Sequence, residues 1–245
     1  MTKRNIKLSL QYDGTNYCGW QIQHNGTSIQ GLLTEVVNRI EERKVTIHGA
    51  GRTDAGVHAL NQVANFFMEK PLDCHKLQRA INGSLPLDIR VSAVTEMPTD
   101  FHARFSAIGK QYRYQIALGQ LVSPFEYRYF HHCPHKLDVA AMMEAANYLI
   151  GTHDFSAFAT AIQADSTVRT ITAIDWTLTA DKLSCEIAGN GFLRYMVRAI
   201  MGTLIEVGRA KRSPENISQI LLSKDRRQAG TTAPACGLTL VNVCY

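Results

Sequence analysis

The sequence predicts an α+β protein made of two ferredoxin-like, RRM-like halves, each with an antiparallel sheet, joined around a central active-site cleft. The first observation is the element order β-α-β-β-α-β in the hydrophobic pattern of the first half. The second is a similar series of predicted elements in the rest of the chain, without visible sequence similarity. No Gly/Ser tract separates the halves, which we place at residues 1–105 and 106–245. Two halves sharing one body predict a cleft where they meet.

The elements of the first half follow from the spacing of its apolar residues. Arg4–Tyr12 alternates apolar and polar side chains, as a half-buried strand does. Ser28 is a favourable helix N-cap, and apolar residues then recur on one face as far as residue 43. Asp73 can cap a second helix. Further strands are predicted at residues 45–48, 57–68 and 87–94.

The second half repeats this scheme with one inserted helix. After a long connection rich in Pro, His and Tyr, the pattern again alternates between helical and strand periods. The predicted strands are residues 106–118, 168–179, 183–188 and 238–243. The predicted helices are residues 138–150, 192–207 and 214–222.

Composition places the chain among ordinary globular proteins and leaves two interpretations of its charge open. The hydrophobic fraction is 45% and the charged fraction 19%, which predicts a folded chain. A net charge of +5 and a pI near 8.9 favour a polyanionic partner such as nucleic acid. The same values also fit a mildly basic protein with no such partner.

The cysteines and the apolar segments predict a cytoplasmic protein. Six cysteines are scattered without a C-x-x-C pair, and the chain does not open with a signal-peptide pattern. No apolar run is long enough to span a bilayer, so we expect no membrane partner. A reduced setting with free thiols is the simplest explanation.

A glycine-rich connection between two predicted strands contains the strongest candidate for catalysis. A minimal hairpin needs only two connecting residues, so this longer loop, residues 49–59, shapes more than a turn. Either Asp54 only bonds its own turn, or the loop presents its carboxylate for chemistry. Arg52 could keep that carboxylate ionised by lowering its pKa, as nucleophilic or base chemistry requires. The loop alone does not decide between the two.

A basic aromatic segment follows at residues 101–114. Cationic and aromatic side chains alternate there: Phe101, Arg104, Phe105, Lys110, Tyr112, Arg113 and Tyr114. In a strand, Lys110, Tyr112 and Tyr114 share one face and could combine a phosphate contact with rings that stack on RNA bases. An ordinary strand with partly buried tyrosines is the alternative.

A pair of arginines lies in the predicted helix that begins at residue 192. Arg194 and Arg198 are four residues apart and would share one helix face above an apolar one. Their partner could be a phosphate, a carboxylate or water.

The sequence predicts neither a metal nor a cofactor. His131, His132 and His135 are not accompanied by a second ligand cluster with zinc-like spacing. The glycine-rich loop matches neither a phosphate-binding Gly-Lys-Ser/Thr loop nor a dinucleotide fingerprint. We therefore expect chemistry that needs neither group.

Taken together, the motifs resemble the TruA family of tRNA pseudouridine synthases from Tyr12 to the end of the chain. The glycine-rich loop is the most specific of them, and the order and spacing of the others agree. The motifs lie at residues 12–21, 49–59, 101–105, 110–114, 151–155, 196–198 and 233–238. Two positions depart from the family pattern: Asn61 replaces a usual glycine, and Cys236 lies within the last motif.

The resemblance implies a pseudouridine synthase fold and a catalytic Asp54. It also implies that Arg52 displaces and positions the target nucleotide, that Tyr112 stacks on the uracil, that Arg198 pairs with the aspartate and that Leu238 lines the pocket. A homodimer that binds tRNA across both subunits, with its target in the anticodon arm, is implied as well. Further RNA contacts are expected from Arg104, Lys110 and Arg194.

Two other classes of function remain possible at this point. A non-catalytic RNA-binding protein would explain the charge and the aromatic residues, but not a carboxylate at the centre of a basic loop. A structural dimerisation protein would explain no feature of the loop.

Overall fold

The computed structural model of the protein describes residues 3–160 and 166–245. The chain divides into two compact units. The first ends at Ile108 and also contains Leu240–Tyr245, and the second is Gly109–Thr239. Within the described residues there are ten strands and five α-helices, and most strand pairs are antiparallel. The predicted α+β class is therefore confirmed. Of the helices in this described part, none is long and apolar enough to cross a membrane.

The first unit has the predicted order β-α-β-β-α-β. Its elements are β1 (Arg4–Tyr12), α1 (Ile29–Glu41), β2 (His48–Gly49), β3 (His58–Met68), α2 (Cys74–Ser84) and β4 (Ile89–Met97). The last strand of the chain, β10 (Leu238–Cys244), crosses the boundary between the units. The strands of the first unit lie in the order β4-β1-β3-β10, and β2 pairs with β3.

Local chemistry explains why these elements form. Alternate residues of β1, such as Ile6 and Leu8, are completely buried, which is the pattern of a strand with one face in a core. Both predicted N-caps are confirmed. The Ser28 hydroxyl accepts the Gly31 N–H at 3.1 Å, and the Asp73 carboxylate accepts the backbone N–H three residues later at 2.9 Å.

The strand predicted at residues 45–48 is wrong in length, because only His48 belongs to β2. Side chains of α1 take up the backbone groups that a strand would use in its ladder. The Asn38 side chain accepts the Val45 N–H at 2.7 Å, and the Gln30 side chain donates to the Ile47 carbonyl at 2.9 Å. Val45 and Ile47 are buried, but the segment is bonded to a helix rather than to a strand.

The second unit contains the remaining elements. They are β5 (Gly109–Ala117), β6 (His131–His132), α3 (Val139–Asn147), β7 (Gly151–Asp154), β8 (Val168–Leu178), β9 (Lys182–Gly189), α4 (Met196–Gly208) and α5 (Asn216–Ser223). Four of its strands lie in the order β5-β9-β8-β7, and β6 pairs in parallel with β5. The four-residue strand β7 is too short and too polar for its pattern to predict, and we did not expect it.

The start of α4 also differs from the prediction of residue 192. Tyr195 has a left-handed backbone, with φ of 63°, and serves as the N-cap residue. An isolated left-handed residue interrupts a right-handed helix, so the regular helix begins only at Met196. The Met196 backbone N–H donates to the Leu193 carbonyl at 3.1 Å and closes a separate turn before the helix.

Candidate active site

The glycine-rich loop of the first unit packs closely against the segment that follows β1. Gly19 has a φ of 99°, which favours glycine, and a Cβ there would lie 2.5 Å from the carbonyl oxygen of Thr53. On the same side of the loop, the indole of Trp20 lies where a side chain at Gly49 would have to fit. The two sequence motifs, residues 12–21 and 49–59, are thus two parts of one packed structure.

Hydrogen bonds fix this loop on both sides of its central residues. The hydroxyls of Tyr12 and Thr53 are 2.9 Å apart, and both side chains are buried. The Gln62 side chain donates to the carbonyl of Gly51 at 3.0 Å, and the backbone N–H of Trp20 donates to the carbonyl of Thr53 at 3.1 Å. Burial raises the pKa of Tyr12 to about 12, so its hydroxyl stays protonated at neutral pH.

Asp54 lies at the end of this fixed stretch. Its backbone carbonyl accepts the Val57 N–H at 3.1 Å, so a backbone bond closes the turn after it. Gly56 has a φ of 77° and donates to the carbonyl of Tyr17 at 3.3 Å. Asp54 is half-buried and Arg52 is exposed. Rigid backbone therefore positions a carboxylate and a cation two residues apart, as a nucleophile or base with a nearby charge partner requires.

In the second unit, Arg198 is fixed in the first turn of α4. Its Nε donates to the Ala233 carbonyl at 2.8 Å, and the Ala233 N–H donates back to the Arg198 carbonyl at 3.0 Å. This reciprocal pair joins the last sequence motif to α4.

The predicted shared helix face of Arg194 and Arg198 is wrong, because Arg194 precedes α4. The two cations nevertheless meet at one ring. Their guanidinium carbons lie 5.0 Å and 5.1 Å from the ring centroid of Tyr195, the N-cap residue of α4.

Tyr112 lies in β5 and is only 7% exposed. Its ring meets Phe192 edge to face, with centroids 5.2 Å apart at 84°, which fixes the ring plane. Lys110, on the same strand, is half-buried. Leu238 is buried at the start of β10. These side chains come from both ends of the second unit's sequence.

Of the two interpretations of Tyr114, the structure supports the buried strand tyrosine. Tyr114 shares the strand β5 with Tyr112, but it is completely buried, and its hydroxyl donates to the Pro234 carbonyl at 2.9 Å. Burial also raises its pKa. Tyr114 supports the segment around Pro234 and has no face left for an RNA base.

Sequence reasoning missed the residues that hold the candidate catalytic groups in place. Tyr12, Gln62 and Ala233 act through hydrogen bonds to residues that lie 41, 11 and 35 positions away in the sequence, respectively. The only signal was indirect: these positions lie in or next to motifs whose local role was not apparent.

Comparison with known protein families shows to which family the chain belongs. The model of a family described as tRNA pseudouridine synthase matches residues 9–106 and 145–245. The chain therefore belongs to the tRNA pseudouridine synthase family.

Individual relatives match along the whole chain and confirm the resemblance to the TruA type. A protein of Acetivibrio thermocellus named tRNA pseudouridine synthase A is 46% identical over 243 residues, which cover 99% of this chain and 100% of that protein. A protein of Clostridium tetani named tRNA pseudouridine synthase A 2 is 45% identical over 245 residues, covering 99% of each chain.

Proposed function

We propose that the protein converts uridine in tRNA to pseudouridine, with Asp54 as the catalytic carboxylate. The observation that carries the proposal is the loop around Arg52 and Asp54, held by hydrogen bonds in a chain that belongs to this family. The target uridine lies in the anticodon arm, and the active protein is a cytoplasmic homodimer. The target and the homodimer rest on the resemblance, and the cytoplasmic setting rests on the scattered cysteines without a C-x-x-C pair.

The reaction is an isomerisation in which every atom is conserved. The N1–C1′ bond of uridine breaks, the base turns, and a C5–C1′ bond forms. The proton lost from C5 is balanced by one gained at the nitrogen released from the sugar. No oxidant, reductant or energy source enters the balance.

The resemblance gives each candidate residue its own proposed role in the reaction. Asp54 acts in its ionised form, either by attacking C1′ or by abstracting the C2′ proton as uracil leaves. Arg52 helps to displace the target nucleotide from its stack, and Tyr112 stacks on the extruded uracil. Arg198 stabilises the charge of the catalytic carboxylate, and Leu238 gives the base an apolar contact. Proton transfer from C5 requires a base, for which Tyr112 is the candidate.

Three other cations are proposed to contact the RNA backbone. Arg104 and Arg194 are exposed and Lys110 is half-buried. Cations of this kind add affinity by releasing counterions from phosphates, and their effect weakens with salt. They are expected to change binding rather than the chemical step.

The decisive experiment uses purified protein and a tRNA transcript containing uridine tritiated at C5. Conversion releases that tritium to water, because C5 becomes bonded to the sugar. We expect release without added metal or nucleotide. Binding of the transcript without any release would instead support a non-catalytic RNA-binding protein and overturn the proposal.

The finer points have their own measurements. Replacing the anticodon-arm uridines with cytidine should stop the release, whereas replacing uridines elsewhere should not. Light scattering should give the mass of a dimer of the 27.3 kDa chain. Release from the cytidine-substituted arm or a monomeric active enzyme would contradict the respective point.

A further inference from the structure

Three rings of the first unit form a continuous column that the proposed chemistry does not use. The ring centroids of His48 and His102 are 4.6 Å apart with planes at 43°, and those of His102 and Phe105 are 4.5 Å apart at 35°. Phe105 is the outermost of the three and is 76% exposed. The guanidinium carbon of Arg104 lies 5.5 Å from its ring centroid. An exposed phenylalanine supported by two imidazoles and flanked by a cation requires an explanation.

The turn that presents Phe105 is rigid. The His102 N–H donates to the Ser106 hydroxyl at 3.0 Å, and the Ser106 N–H donates to the His102 carbonyl at 2.9 Å. The backbone N–H of Arg104 donates to Nδ1 of His102 at 3.1 Å, so Nδ1 serves as a hydrogen-bond acceptor. Hydrogen bonds therefore hold the backbone that carries Phe105, and its ring packs against the ring of His102.

Burial and nearby charge favour the neutral form of the middle ring. Burial lowers the pKa of His102, and the neighbouring His48 and Arg104 lower it further. A neutral imidazole whose Nδ1 accepts a hydrogen bond offers a flat surface on which Phe105 can rest. The guanidinium of Arg104 supplies a positive charge beside the exposed ring of Phe105.

The column begins next to the loop that carries the catalytic candidate. His48 is the first residue of β2, and the chain passes from β2 directly into residues 49–59. Exposed aromatic rings next to cations are the usual means of binding unpaired nucleotides, because every base offers a π-face while the cation contacts phosphate.

We propose that Phe105, supported by His102 and His48, is a stacking site for an unpaired RNA base that neighbours the target uridine, and that Arg104 contacts the phosphate of that nucleotide. This inference rests on the proposed function. Extruding the target removes a stacking partner from the bases beside it. A ring that replaces the lost partner lowers the free energy of the extruded state, and does so without discriminating between bases.

The test uses an anticodon-arm RNA in which 2-aminopurine replaces the nucleotide on the 5′ or, in a second RNA, on the 3′ side of the target. Stacking on an aromatic ring quenches 2-aminopurine fluorescence. Wild-type protein at saturation should quench one of the two RNAs. Phe105→Leu, which keeps an apolar side chain without a ring, should lose this quenching, and Phe105→Tyr should retain it.

Affinity gives an independent readout on the unlabelled RNA. Phe105→Ala should raise Kd by roughly five- to a hundredfold, the range for loss of one base–aromatic stack. The control is Phe125→Ala, which removes another phenylalanine, 89% exposed in the second unit. It should leave Kd and quenching at wild-type values.

The outcomes separate this inference from the proposed function. Quenching that survives in Phe105→Leu, or equal losses of affinity in the Phe105 and Phe125 variants, would overturn the stacking site even if the wild type releases tritium. Quenching that depends on the ring of Phe105 would support the site. Absence of tritium release from the wild type would count against the proposed function alone, since the fluorescence experiment requires no turnover.

Discussion

Nδ2 of Asn61 donates a hydrogen bond to Oδ1 of Asn242 at 2.8 Å and thereby ties β3 to β10 inside the first unit. Position 61 is where the family resemblance leads one to expect glycine. The pairing register of β1 shifts at this place: Leu10 lies opposite Gln62 but Tyr12 opposite Ala59, so β3 has one extra residue. Such a bulge accepts glycine readily, and here the asparagine adds a link across the sheet.

Replacement of Asn61 by Gly should therefore destabilise the protein. The lost hydrogen bond costs about 1 kcal/mol and the added chain freedom about 0.5–1 kcal/mol. Urea unfolding of Asn61→Gly, of Asn242→Ala and of the double variant measures the coupling. The double variant should be less destabilised than the sum of the single ones. Strict additivity would show that the bond contributes nothing.

Gly202 offers a second test, because the carbonyl oxygen of Thr231 occupies the space of its missing side chain. Gly202→Ala should lower the free energy of unfolding by about 1–3 kcal/mol through overpacking. It should also slow conversion, since displacement of this segment disturbs Ala233 and hence Arg198.

The matched control for Gly202 is Gly83, which lies in α2 with open space around it. Gly83→Ala should raise the free energy of unfolding by about 0.5–1 kcal/mol, because alanine reduces the freedom of the unfolded chain. Thermal and urea unfolding measure both variants. Equal stability of the two alanine variants would show that the Thr231 carbonyl does not crowd a side chain at position 202.

The lowered pKa of Asp154 predicts how the free energy of unfolding changes at acid pH. Its pKa is lowered to about 2, first by a hydrogen bond from the Thr167 side chain and further by the Ser156 N–H and by Lys224, whose Nζ is 3.2 Å away. The folded state thus favours the ionised carboxylate. As pH falls, the carboxylate is protonated first in the unfolded state, where its pKa is near 3.8. The stabilisation is complete above that value and disappears as pH falls towards 2.

The Asp154→Asn variant has no carboxyl group at this position, so its stability lacks this contribution to the pH dependence. Denaturant unfolding of both proteins between pH 6 and pH 3 should show the wild type more stable at pH 6, with the difference shrinking at the acid end. Curves that remain parallel over this range would mean that Asp154 does not titrate as described. The range is chosen to begin above the carboxylate titration, as the linkage requires.

The fold could be predicted largely because its signals are local. The apolar alternation of β1 and the caps Ser28 and Asp73 depend on residues within a few positions of each other. The short β2 and the late start of α4 could not, since they depend on bonds from α1 and on one left-handed residue. Neither of these has a periodic pattern.

The candidate site likewise combines features with a local sequence signal and features that depend on distant residues. Asp54 stands out because glycines and a cation surround it within a few residues. The bond between Tyr12 and Thr53, by contrast, joins residues 41 apart, and the burial of Tyr114 depends on Pro234, 120 residues away. Alternation in a strand assigns a face to a side chain, but it does not say which face another segment will cover.

Arg198 should affect turnover more than affinity. Arg198→Leu removes the charge proposed to act on the catalytic carboxylate, and with it the bond from Nε to Ala233. Single-turnover rates and Kd, measured on the same tRNA transcript, separate the two effects. Arg198→Lys keeps a charge and should recover part of the rate. A variant with a normal single-turnover rate and only weaker binding would assign Arg198 to RNA affinity alone.

The strictest test is Asp54→Asn, which keeps the size of the side chain and removes its charge. Conversion should fall by roughly four orders of magnitude or more, as when other enzymes lose a nucleophile or base. Binding should not weaken, because losing a negative charge beside an RNA polyanion reduces repulsion. Asp100→Asn, an exposed aspartate of the same unit, makes the same change in net charge and should convert uridine at the wild-type rate. Tritium release and Kd on one transcript decide the matter: near-normal release by Asp54→Asn would remove Asp54 from the chemistry.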